Sequence, residues 1–65
     1  MKRYMIKSCS LEELTGKIGE YLDDTDIRLE QESDFVYRVI GKRGNHINHR
    51  VARKYDMWCL KYIGY

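Results

Sequence analysis

The chain has 65 residues, 43 % hydrophobic and 34 % charged, with no proline and a net charge of +2. Such a length and balance describe one globular domain, residues 1–65, with a thin core, and exclude a disordered chain. No apolar run approaches the ~20 residues that a membrane span needs.

The opening MKRYMIKSCS has two early cations but no apolar stretch of signal-peptide length. Cys9 and Cys59 therefore read as reduced, small apolar residues, and the expected location is the cytoplasm. Within that opening, RYMIKS (3–8) alternates polar and apolar residues as a strand does. Ser10 followed by Glu13 forms a capping box, and Leu11, Leu14, Ile18 and Leu22 then share one helical face. Gly16 and Gly19 lie off that stripe and weaken the helix. LDDTD (22–26) stops it, because Asp favours turns. IRLEQ (27–31) and FVYRVI (35–40) read as two strands joined by a turn at ESD (32–34). GKRGN breaks the second strand. Beyond it Ile47, Val51 and Tyr55 recur at i, i+4 and i+8, which predicts a second amphipathic helix from Asn45. MWCLKYIG (57–64) closes the chain as an edge strand.

The resulting order, βαββαβ, predicts an α+β chain of the ferredoxin-like plan: a four-stranded antiparallel sheet with two helices on one face. Alternation along the strands says which sheet face stays bare. Tyr4, Ile6, Ile27, Leu29, Phe35, Tyr37, Val39, Trp58, Leu60 and Tyr62 are expected against the helices. That parity leaves Arg3, Lys7, Arg28, Arg38 and Lys61 outside with Glu30; the opposite one would bury five cations without partners.

Charge is segregated along the chain. Residues 1–10 carry +3, residues 11–34 carry −7 and residues 35–65 carry +6, with no acid between Phe35 and Asp56. On the predicted second helix the polar arc holds His46, His49, Arg50, Arg53 and Lys54, a self-repelling face that calls for an anionic partner. The loop before it, Gly41-Lys42-Arg43-Gly44, has two glycines that let bare backbone approach a ligand. It leads to a helix N-terminus, where free N–H groups favour an anion.

VIGKRGNHI (39–47) resembles the GxxG loop of the KH RNA-binding domain: a hydrophobic pair, Gly-Lys-x-Gly, then an isoleucine three residues on. In that family the loop clamps the backbone of about four single-stranded nucleotides. The resemblance implies that Gly41, Lys42, Arg43 and Gly44 hold phosphates, with Ile47 packed beneath. It covers residues 39–63 at most, and FVYRVI alternates as a strand where that family has a helix. The overall order is also similar to the RRM, whose central-strand aromatics stack bases. Here the parity of Tyr4, Phe35 and Tyr37 turns those rings inward, so no RRM residue roles carry over.

The expectation is a small nucleic-acid-binding protein, RNA favoured. Its contact residues are Gly41, Lys42, Arg43, Gly44, His46, His49, Arg50, Arg53 and Lys54, together with Arg3, Lys7, Arg38 and Lys61 of the bare sheet face. A different class also suits a tiny charge-polarised chain: a protein-binding modulator, such as a virus- or phage-encoded inhibitor of a larger host enzyme. Its contact would be the acidic stretch Asp23, Asp24, Asp26, Glu30, Glu32 and Asp34. Spacing suggests no catalytic triad, no paired carboxylates and no metal-ligand set, so neither an enzyme nor a cofactor is expected. The edge strand offers a route to a homodimer, with a monomer the other expected state.

Overall fold

The computed structural model describes residues 3–63, with side chains from Ile6 onward. The side-chain roles expected of Arg3 and Tyr4 lie outside the described residues. The elements are β1 (Arg3–Ser8), α1 (Leu11–Leu22), β2 (Arg28–Ser33), β3 (Val36–Gly41), β4 (Gly44–Lys54) and β5 (Met57–Tyr62). All neighbouring strands are antiparallel, in the order β1-β5-β4-β3-β2. The α+β class is as expected; the ferredoxin-like plan is not. Five strands and one helix replace four strands and two, and the closing strand, expected at an edge, lies between β1 and β4.

The missing helix is β4, and its sequence explains the correction. Ile47 and Val51 are four residues apart, a spacing that an unbroken strand satisfies as readily as a helix; here only Val51 is buried, and Ile47, expected beneath the loop, is 67 % exposed. A helix would also crowd His46, His49, Arg50, Arg53 and Lys54 into a single unneutralised arc. A strand separates them. Arg53, opposite Trp58, turns to the helix side, while Arg50, opposite Arg38 and Lys61, turns away from it.

Helix α1 starts where the capping box predicts, with one change in its wiring. Ser10 Oγ accepts from the Glu13 N–H at 3.3 Å. The Glu13 carboxylate reaches Ser8 Oγ at 2.6 Å, and that hydroxyl accepts from the Ser10 N–H at 3.2 Å. The reciprocal bond is thus relayed through one extra hydroxyl. The helix ends at Asp23 in the left-handed region (φ 54°), where the Asp24 N–H closes on the Gly19 carbonyl at 3.1 Å.

Leu14 and Ile18 pack onto Val39, Val51 and Leu60, all fully buried, with Ile6, Leu11, Leu22, Ile27, Leu29, Tyr37 and Trp58 around them. Most of the residues expected on the helix side are therefore there. Phe35 is the exception: it sits in the β2–β3 turn and is exposed. Tyr37 and Trp58 meet edge to face at 5.4 Å, and the Arg53 guanidinium covers Trp58 at 5.5 Å. Among the described residues no helix lies on the second sheet face.

Two substitutions measure these assignments. Gly16 lies inside α1 with nothing within 4 Å of an added Cβ, so Gly16→Ala should raise the urea-unfolding free energy by up to about 1 kcal/mol. Leu60→Ala should lower it by about 3 kcal/mol, a large part of what so small a core supplies.

Candidate functional site

Strands β1 and β2 occupy opposite edges, so the chain leaving α1 must travel across the sheet to reach β2. Residues 23–27 make that passage over the tip of the β3–β4 hairpin, which is the GKRG turn. Here the Asp24 side chain is 1 % exposed and fully engaged. Its Oδ1 accepts from the N–H groups of Thr25 at 2.7 Å, Lys42 at 3.1 Å and Arg43 at 3.3 Å. Its Oδ2 accepts from the Arg43 N–H at 3.3 Å and from His46 Nε2 at 2.7 Å. The Lys42 N–H also donates to the Thr25 carbonyl at 2.8 Å.

The glycines serve this contact. A Cβ on Gly41 would fall on the Asp24 carboxylate, and Gly44 takes a φ of 111° in open space. The turn therefore binds an anion through its amides, as its sequence suggests, and the anion is the chain's own Asp24. Helix-like spacing beyond Gly44 had implied a helix N-terminus; a strand follows instead.

A wide bulge brings His46 to the carboxylate. Ile40 pairs with Asn45 and Arg38 with Arg50, so residues 46–49 of β4 face Val39 alone on β3. Because its partner is a carboxylate, His46 Nε2 carries the hydrogen. Burial alone would raise the Asp24 pKa. The His46 hydrogen bond, the amides of Thr25 and Arg43, and the imidazole's charge outweigh burial and hold it below its ordinary value. His49 packs edge-on against Tyr62 at 5.4 Å, and burial, then the neighbouring His46, push its pKa below 6.5.

The remaining expected contact residues divide between surfaces. Arg53 lies on the helix side. Arg43 is exposed and pairs with Asp23 at 3.6 Å, while the Lys42 side chain is exposed with no ion pair among the described residues. On the open sheet face Lys61, Arg50 and Arg38 stand directly opposite one another on β5, β4 and β3, and Glu30 ends the row on β2. Register places Lys7 and Lys54 on the same face towards the Tyr55–Asp56 turn, and Arg28 beyond Arg38 towards the other end. Arg38 pairs with Glu30 at 3.1 Å and Arg50 with Glu32 at 2.7 Å. Lys7, Arg28 and Lys61 form no ion pair among the described residues. The opposite side of the molecule shows the exposed Glu12, Glu13, Glu20 and Asp23 of α1 and its cap against Lys17.

Asp24 was legible only as part of an acidic patch. The signal that identifies it is a loop rich in free N–H groups in a chain whose acids cluster at one turn. Arg28 stands on the open face, as its parity predicts. Comparison with family models, with curated proteins and with solved structures gives no match.

Three shifts, at Asp24, Glu13 and His49, fix a pH response. Asp24 has a folded pKa below its ordinary 3.8, so its contribution is complete above that value and is lost as pH falls through the folded one. Glu13, lowered by its Ser8 bond and by Lys17, follows the same rule from its own ordinary value of 4.5. The folded His49 resists a proton that the unfolded chain accepts, so stability already declines as pH drops below 6.5. Melting temperatures should fall in two stages on acidification. Asp24→Asn should lower the neutral-pH value and shrink the second stage, and Gly41→Ala, whose Cβ displaces the same carboxylate, should do both as well.

Proposed function

We propose that this chain is a nucleic-acid-binding protein that meets phosphates with the open face of its sheet. The observation that carries the reading is the cross-strand row Lys61–Arg50–Arg38. Like charges directly opposite each other destabilise an antiparallel pair, and three in succession, at strand spacings of ~4.8 Å, form a line of positive charge that the fold itself does not require. Arg38 also keeps a buried Nε without a hydrogen-bond partner among the described residues. Lys7, Arg28 and Lys54 flank the row, and Glu30 and Glu32 are the acids that answer it.

Exposed ion pairs are weak and screened by salt, so a polyanion can take Arg38 and Arg50 from their glutamates. The acidic helix side repels the same polyanion and fixes which face it meets. The amides that a KH-type loop uses on nucleotides are engaged by Asp24, so the loop contributes the Lys42 side chain. Phosphate contacts carry little sequence information and do not separate RNA from DNA.

Binding to a mixed-sequence oligonucleotide should fall steeply with salt. With four phosphates engaged, affinity should drop roughly 50- to 150-fold between about 50 and 200 mM. Lys61→Glu with Arg28→Glu should remove most binding while the fold persists; unchanged affinity in that folded double variant would overturn the proposal. Capture from lysate that survives nuclease treatment, and is lost on reversing Asp23 and Asp26, would favour the protein-binding modulator instead.

A further inference from the structure

The β4–β5 turn holds a residue that the turn itself does not favour. Lys54 pairs with Met57, so Tyr55 and Asp56 alone connect the strands. Two-residue turns of this kind take Gly, Asn or Asp where φ is positive. Tyr55 occupies the position with φ 58° and is 87 % exposed. A bulky residue in the left-handed region is strained, and such strain concentrates where a side chain has a task.

Tyr55 borders a hollow on the open sheet face. That hollow, about 170 Å³, is lined by Lys7, Lys54, Tyr55, Met57 and Cys59. Cys59 is 1 % exposed and Met57 half-buried, so the buried side is apolar, while the exposed Lys7 and Lys54 line the same hollow. The volume is well below the ~300 Å³ at which drug-sized sites begin. It suits one planar group, and the hollow is continuous with the basic face.

We propose that the hollow takes one unpaired nucleobase, stacked on Tyr55 over Met57, with its flanking phosphates on Lys7 and Lys54. The proposal rests on the basic-face reading above and narrows it to a substrate class. A base inside a duplex has both faces covered by its neighbours and cannot enter such a hollow without leaving the stack. The ligand is therefore a single strand. One aromatic platform beside a track of cations is the arrangement that holds single strands with little sequence preference, since every base has a face to stack.

The test uses the full chain and a labelled uridine oligomer of about 12 nucleotides, alone or annealed to its complement. Wild type should bind the single strand more tightly. Tyr55→Gly should weaken single-strand binding about tenfold and leave duplex binding unchanged, whereas Tyr55→Phe should retain it. Glycine suits φ 58°, so the Gly variant should melt no lower than wild type, and its loss of binding is not a loss of fold. If Tyr55→Gly binds the single strand as wild type does, or wild type binds both forms equally, the base site is overturned and the basic face stands. If wild type binds neither form even at low salt, the basic-face reading falls with it.

Discussion

A carboxylate withdrawn from water must be compensated by hydrogen bonds to its charged form, or it destabilises the fold that buries it. Asp24 receives such bonds from three backbone amides and one imidazole, and each donor comes from a segment that the contact then fixes. Thr25 belongs to the passage from α1 to β2, Lys42 and Arg43 to the β3–β4 turn, and His46 to the bulge in β4. Five fully buried aliphatic side chains make a small core, and none of them belongs to the passage, the hairpin turn or the bulge. The helix end, the long crossing and the hairpin tip are therefore joined largely through one polar hub. Gly41 is glycine because that hub stands where its side chain would be.

The hub also changes what the loop means. Two glycines around two cations read as a cradle for a phosphate, and the geometry is that of an anion cradle. A sequence pattern specifies donors, however, and says nothing of where the acceptor comes from. When the acceptor is internal, the same donors become a device for folding, and the mobile charges Lys42 and Arg43 are what remain for solvent. The segregation of charge along the chain has the same double reading. Part of the positive second half is answered by the negative first half, in Arg43–Asp23, Arg38–Glu30 and Arg50–Glu32. Of the second-half cations with no ion pair among the described residues, Lys61 lies on the open sheet face, Lys42 at the hairpin tip and Arg53 on the helix side.

Most of the fold was legible because its signals were local. Ser10 and Glu13 marked the start of α1, its leucine and isoleucine stripe marked the buried face, and the alternation in β3 and β5 marked which side chains point inward. The parity argument survived the change of topology, since it depends on single strands and not on their order. The segment from Asn45 to Tyr55 was misread for two physical reasons. A spacing of four fits both periods, and cations crowded on one helical arc call for a partner only if the helix exists; the crowding is itself evidence against the helix. His46 could not be placed at all, because a bulge that sets four residues against one is a property of the pairing and leaves no local mark.

Turning that segment into a strand alters the surface available for recognition. A helix would have presented all its cations along one ridge; β4 sends Arg50 and Lys54 to the open face and Arg53 to the aromatic cluster around Trp58. The open face loses some charge and gains alignment, because strand pairing sets Lys61, Arg50 and Arg38 side by side at a fixed interval. The sheet edges are poorer candidates for contact. β2 is lined by Arg28, Glu30 and Glu32, and the pairing of β1 is interrupted between Tyr4 and Ile6, both features that discourage edge-to-edge addition of another strand. The strand expected to offer such an edge is held between two neighbours. With one face closed by the helix and both edges guarded, the uncovered face is the part of the molecule whose chemistry the fold leaves unused.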